Sequence, residues 1–178
     1  YLELGREECL VAAVNAANWM IASQDEDGCW RRNVHNNVPH TYNTRAAWAL
    51  LRTGLMANDA RIIAAARRNI EWALTQQTAS GWFRTNGFTA EQVPFTHTIA
   101  YAIRGILECG VLLDEARYVE AALKAARGLA AQQRADGFHF GLQLSELEVD
   151  VLVFEQRLAE GLALAQVVDG LLDDLAVL

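Results

Sequence analysis

Lysine is nearly absent from this chain: Lys124 stands alone among fifteen basic residues, the other fourteen being arginines. Cysteine is scarce as well. Cys9, Cys29 and Cys109 are far apart and form no C-x-x-C pair, which removes zinc ribbons and redox dithiols from consideration. No stretch approaches the roughly eighteen uncharged apolar residues that a membrane helix needs, and the N-terminus has no signal-peptide pattern. A protein without a membrane span, expected in the cytoplasm, is the resulting expectation. The chain opens on Tyr1 rather than methionine, so it reads as a segment or a processed product. There is no phosphate loop, dinucleotide fingerprint, nucleophile elbow or H-E-x-x-H, and no motif calls for a metal or a cofactor.

A basic surplus is also lacking. The net charge is −7, and it is unevenly spread: residues 1–144 carry 14 acidic and 14 basic side chains, whereas residues 145–178 carry eight acidic ones and only Arg157. A neutral body with an acidic tail cannot displace phosphate counterions, so nucleic acid is excluded as a partner. What remains is 178 residues with 52% hydrophobic content, enough for one domain with a substantial core.

That core is organised by an internal repeat. Trp19, Gln24 and Gly28 recur 53 residues later as Trp72, Gln77 and Gly81, and a third copy begins at Gln133 and Gly137. Gly54 and Arg61 recur at a step of 56, as Gly110 and Arg117. Several anchors at nearly one period mark a repeat architecture. Within each unit, Ile62, Ala66, Ile70 and Ala73 form one apolar stripe at helical spacing, with Asp59 as N-cap. The equivalent later helix starts near Asp114 and runs through Tyr118, Ala122 and Leu129. Ile99 to Leu113 is apolar on most sides, broken only by Arg104 and Glu108, and is therefore interior. The prediction is an all-α protein of about three helical hairpins, one helix of each facing solvent and the other facing inward.

The turn of Gln24, Gly28 and Trp30, repeated with Gln77, Gly81, Trp82 and Phe83, resembles the QW repeat of squalene–hopene cyclases. That family belongs with protein prenyltransferases among the α/α-toroids, and the likeness spans about residues 10–140. It implies a toroid with a central ligand cavity and, by extension, isoprenoid chemistry. The glycine permits φ > 0 where the chain leaves the outer helix. The glutamine amide is expected to bond free backbone groups at a neighbouring helix end, with the aromatic ring covering that bond. Gln24, Gly28, Trp30, Gln77, Gly81, Trp82, Gln133 and Gly137 are thus read as structural. The family's catalytic features do not follow: the acidic D-x-D-D cluster of the hopene cyclases is absent, as are the zinc sets of prenyltransferases and lanthionine cyclases.

Chemical interest falls on the interior helices. Pro39-His40-Thr41-Tyr42-Asn43-Thr44-Arg45 and Pro94-Phe95-Thr96-His97-Thr98 each lead into one of them, with Thr41 or Asn43, and Thr96, as expected caps. Free N–H groups at these helix starts favour an anionic group. His97, Tyr101, Arg104 and Glu108 share one face, and Thr41, Arg45, Trp48 and Arg52 form the matching stripe 56 residues earlier. A polar and aromatic stripe on an apolar helix is expected to line a pocket. The ligand-binding candidates are His97, Tyr101, Arg104, Glu108, Arg45, Trp48, Asn43, Tyr42 and His40. Among these His40 is the weakest, because its neighbours His35, Asn36 and Asn37 look like solvated loop. The plain alternative is an Arg104–Glu108 ion pair, a capping His97 and a core Tyr101.

From residue 145 the pattern breaks. Ser145-Glu146-Leu147-Glu148 is a capping box, Leu147, Val151, Phe154, Leu158 and Leu162 mark an amphipathic helix, and Asp169-Gly170 a turn. The segment 145–178 is read either as the last hairpin helix or as a divergent extension. Three hairpins would leave apolar faces open, which points to self-association or to missing repeats. Three functions stay open: a toroid binding a partly apolar, isoprenoid-type ligand that can carry an anionic group, a glycan-processing toroid, and a non-catalytic helical scaffold for protein binding.

Overall fold

The computed structural model describes residues 5–89 and 92–131. The third Gln133–Gly137 turn and the whole 145–178 segment, with its capping box and amphipathic helix, lie outside the described residues.

Five α-helices run in order among the described residues: α1 (Glu7–Ser23), α2 (Thr44–Ala57), α3 (Ala60–Thr75), α4 (Thr96–Leu112) and α5 (Ala116–Ala130). Two tight helical hairpins, α2–α3 and α4–α5, are built alike. At each bend one residue takes the left-handed conformation, Asn58 at φ 50 and Asp114 at φ 51. The next amide bonds back into the first helix, Asp59 N–H to Gly54 O at 2.9 Å and Glu115 N–H to Gly110 O at 2.8 Å. This left-handed residue with its backward bond is a helix C-cap that turns the chain sharply. Asp59 caps α3 as expected, accepting from the Arg61 amide. Gly54 and Gly110 matter for a second reason. A Cβ on Gly54 would come within 2.9 Å of Ile63, and one on Gly110 within 2.9 Å of Val119, so only glycine allows the two helices of each hairpin to approach this closely.

The inner helices α2 and α4 pack on each other as well as on their outer partners. Their crossing is tight at Gly105, where a Cβ would meet the Thr44 backbone at 2.3 Å. There the Thr44 hydroxyl donates to the Ala102 carbonyl at 3.2 Å. The core runs between the layers, through Leu50, Leu51, Ile62, Ile70, Ile103, Ile106 and Tyr118.

The two Gln-Gly turns join outer to inner helices. Gly28 has φ +89 and Gly81 φ +93, each pressed against the next outer helix where a Cβ would fall 2.2 Å from Arg68 O or 2.5 Å from Lys124 O. Gln24 Nε2 donates to Gly28 O and to Ala65 O at 3.0 and 2.9 Å. Gln77 Nε2 repeats this with Gly81 O and Ala121 O at 3.1 and 2.8 Å. These acceptors correct one expectation: Ala65 and Ala121 lie in the middle of α3 and α5, not at a helix end. A carbonyl has two lone pairs, so one already used within its helix can still accept the amide. Phe83, 3% exposed, takes the position of Trp30, 6% exposed, while Trp82 takes that of Cys29.

The expected caps on the inner helices do not form. Neither Asn43 before α2 nor Phe95 before α4 makes a side-chain cap. Thr41 instead turns its hydroxyl across the repeat, to Arg84 O and Asn86 Oδ1 at 3.1 and 2.9 Å, and so ties the first loop to the second. The Thr96 hydroxyl is buried and, among the described residues, has no hydrogen-bond partner.

Candidate functional site

Because α2 and α4 are successive copies packed side by side, residues 56 apart become neighbours in space. The Arg45 guanidinium lies 4.4 Å from the centre of the Tyr101 ring, and that of Arg104 lies 5.4 Å from the Trp48 ring. Both distances are in the cation–π range. Arg52 approaches the same indole at 5.8 Å. Arg104 also pairs with Glu108 one helical turn on, Nε to Oε1 at 3.4 Å, both side chains largely shielded. Burial pushes the Glu108 carboxyl above its ordinary range, and Arg104 and Arg52 pull against that rise. Arg45, Trp48 and Arg52 of the first stripe and Tyr101, Arg104 and Glu108 of the second therefore share one face, while Thr41 turns away to Arg84 and Asn86.

The face continues past the start of α4 as a run of rings. His97 meets Tyr101 edge-on at 5.7 Å and stacks on Phe95 at 5.5 Å, and Phe88 lies 5.0 Å from Phe95. Phe88 and Phe95 were not among the sequence candidates. Phe95 had a signal in its place beside His97 in the recurring Pro-aromatic segment; Phe88 sits in an aperiodic loop and had none.

His40, Tyr42 and Asn43 belong elsewhere. They line a cavity of about 220 Å³ between the end of α1 and the start of α2, together with Trp19, Trp30 and Arg32. The candidates thus divide between two places, and the walls of this cavity do not include His97, Tyr101, Arg104, Arg45 or Trp48. His40 also departs from its expected solvated setting, being only 1% exposed. Its Nε2 faces the His35 carbonyl at 2.9 Å, which requires the proton on that nitrogen. Its ring stacks on Tyr42 at 4.4 Å. The loop that looked solvated in sequence encloses His40 while leaving His35, Asn36 and Asn37 exposed.

The acidic turn Asp25–Asp27 is tied to Arg31, which reaches Asp25 at 2.9 Å and Asp27 at 2.6 Å. The hydrogen bond from Arg31 holds the Asp27 carboxyl below its usual range, so it stays ionised and is unsuited to donating a proton. Among the described residues, no group of three or more His, Cys, Asp or Glu side chains could hold a metal ion. No described helix is long and apolar enough to cross a membrane.

A family model for the squalene-hopene cyclase C-terminal domain matches residues 3–120. The chain belongs to this family. The match takes in α1 to α4 and the first turn of α5, hence both described Gln-Gly turns and the whole α2–α4 face. The domain is accordingly an all-α toroid of the cyclase type. No curated protein and no solved structure matches the chain.

Proposed function

We propose that this cyclase-family domain binds an isoprenoid-type ligand along the α2–α4 face. The observation that carries the reading is the run of ring contacts from Phe88 and Phe95 through His97 to Tyr101, with the Trp48 ring farther along the same helix pair under Arg104. Such a run offers an extended apolar chain a surface of rings, and ring faces also suit electron-poor carbon centres. The reading is of a binding domain: the chain has no D-x-D-D cluster to protonate a polyene, and the Asp25–Asp27 turn is committed to Arg31. The test is a titration of the full chain with farnesol, followed by tryptophan fluorescence. Saturable quenching that is lost in Tyr101→Ala, with the helical circular dichroism unchanged, supports the proposal. Binding that survives this substitution, or no saturable binding, sinks it.

A saccharide-binding reading draws on the second place, where Trp19, Trp30 and Tyr42 provide ring faces beside the polar groups of Arg32, Asn33 and Asn43. Saturation-transfer NMR with a panel of monosaccharides checks it, and Trp19→Ala must abolish any signal obtained.

A further inference from the structure

The α2–α4 face is rich in hydrogen-bond donors and poor in acceptors. Three guanidiniums, those of Arg45, Arg52 and Arg104, converge on two rings. Among the described residues one carboxylate, Glu108, joins them, and it is engaged by Arg104. Arg45 and Arg52 are exposed, and among the described residues neither has a carboxylate within ion-pair distance. Between them in sequence, the Trp48 indole N–H is buried and, among the described residues, has no acceptor. A buried donor without a partner is costly and is normally satisfied by something. Such a set of donors suits an anion with several acceptor oxygens.

We propose that this face seats the phosphate-type head of an amphiphilic ligand between Arg45 and Arg52. The inference rests on the isoprenoid reading above and adds the head group to it. Seven residues separate the two arginines, two helical turns or about 10.5 Å, so they stand on one side of α2 with Trp48 between. Each planar guanidinium can present paired N–H groups to phosphate oxygens, which a lysine could not do in the same way. The rings beneath them limit their rotamers in advance, which lowers the entropy lost when the anion arrives. A single carboxylate would leave one of the two positive charges unmatched, whereas a phosphate or diphosphate answers both. The apolar tail would run toward Phe88 and Phe95.

Calorimetric titration of the full chain with farnesol, farnesyl diphosphate and inorganic diphosphate separates the parts of this proposal. Farnesyl diphosphate should bind about tenfold or more tighter than farnesol, the gain expected from charge-assisted hydrogen bonds. In the double variant Arg45→Gln, Arg52→Gln, farnesyl diphosphate should bind no tighter than farnesol does to the same variant, with circular dichroism as it was. Added salt should weaken the diphosphate ligand and spare the alcohol. Equal affinity for alcohol and diphosphate, or a preference that persists in the double variant, overturns the head-group site while leaving the isoprenoid reading intact. Inorganic diphosphate bound through the same arginines, with no binding of farnesol, supports an anion site for free phosphates and overturns the isoprenoid reading instead. No binding of any of the three overturns both.

Discussion

Trp19 and Trp72 are the same residue of the repeat in very different surroundings, and replacing each by alanine measures what the repeat contributes. Trp72 on α3 is 7% exposed, and Trp19 on α1 is 59% exposed. The second copy has α2 ahead of it and α4 beyond, whereas among the described residues no inner helix precedes α1. About half of a tryptophan's surface separates the two states. With up to ~250 Å² per ring, that is ~130 Å² of additional burial, or ~3 kcal/mol at ~25 cal/mol per Å². Trp72→Ala should therefore cost ~3–5 kcal/mol, as other buried aromatic truncations do, and Trp19→Ala ~1 kcal/mol or less. For a chain of this size the gap corresponds to a Tm difference of roughly 6–12 °C. Urea denaturation followed by circular dichroism gives both values, and a shared slope against urea confirms that the two variants unfold from comparable states. Equal losses would refute the reasoning. They would mean that Trp19 is covered in solution, and a loss that grows with protein concentration would identify the cover as a second copy.

Three further outcomes follow from the geometry. Gly81→Ala must hold φ +93 and place a Cβ 2.5 Å from Lys124 O, a combined cost of ~2–4 kcal/mol, whereas Gly5→Ala, at φ +62 with nothing within 4 Å, should cost ~1 kcal/mol at most; thermal melts of the two variants compare them. Native protein should react with a thiol reagent at Cys9 alone, since Cys29 and Cys109 are buried and burial pushes their thiols up to about 11 and about 12; three equivalents of native labelling would contradict this. Burial, helped by the 2.5 Å hydrogen bond to Glu71, pushes the Tyr118 phenol from 10.0 up to about 12. Its stabilising share is therefore complete below pH 10 and lost as pH rises toward 12, so denaturation midpoints should fall over that window and do so less in Tyr118→Phe.

The parts of the structure legible in the sequence were those whose causes are local. A left-handed glycine, an amide four residues before it and a helical apolar stripe each act over a few residues, so the turns, the helices and their in-and-out alternation could be read directly. What could not be read depends on partners far along the chain. The Thr41 hydroxyl looked like a cap because the nearest free amides were its own, but its acceptors are 43 and 45 residues away. Asn69 gave no sign that its amide would hold the Gly28 carbonyl from across the repeat. His40 looked solvated because its neighbours are, and only the folded path of the loop over Tyr42 encloses it. Phe88 lies outside any periodic segment, so its place beside Phe95 and His97 had no linear signature.

The candidate face shows how the period itself produces chemistry. Packing one copy of an inner helix beside the next sets three positions of this face near their own counterparts. Had the copies stayed identical, Arg45 would face an arginine and Arg52 another, and like charges at such separations repel. The copies have diverged in pairs instead: arginine faces Tyr101, Trp48 faces arginine, and Arg52 stands across from Glu108. The first two pairs are cation–π contacts and the third is a charge attraction felt at Glu108. Each pairing satisfies a cation without consuming all of its donors, because a ring face accepts no conventional hydrogen bond from the guanidinium edge. The same divergence that lets the two helices pack thus leaves N–H groups of Arg45 and Arg52 unspent along the face, and those unspent donors are what a ligand oxyanion would use.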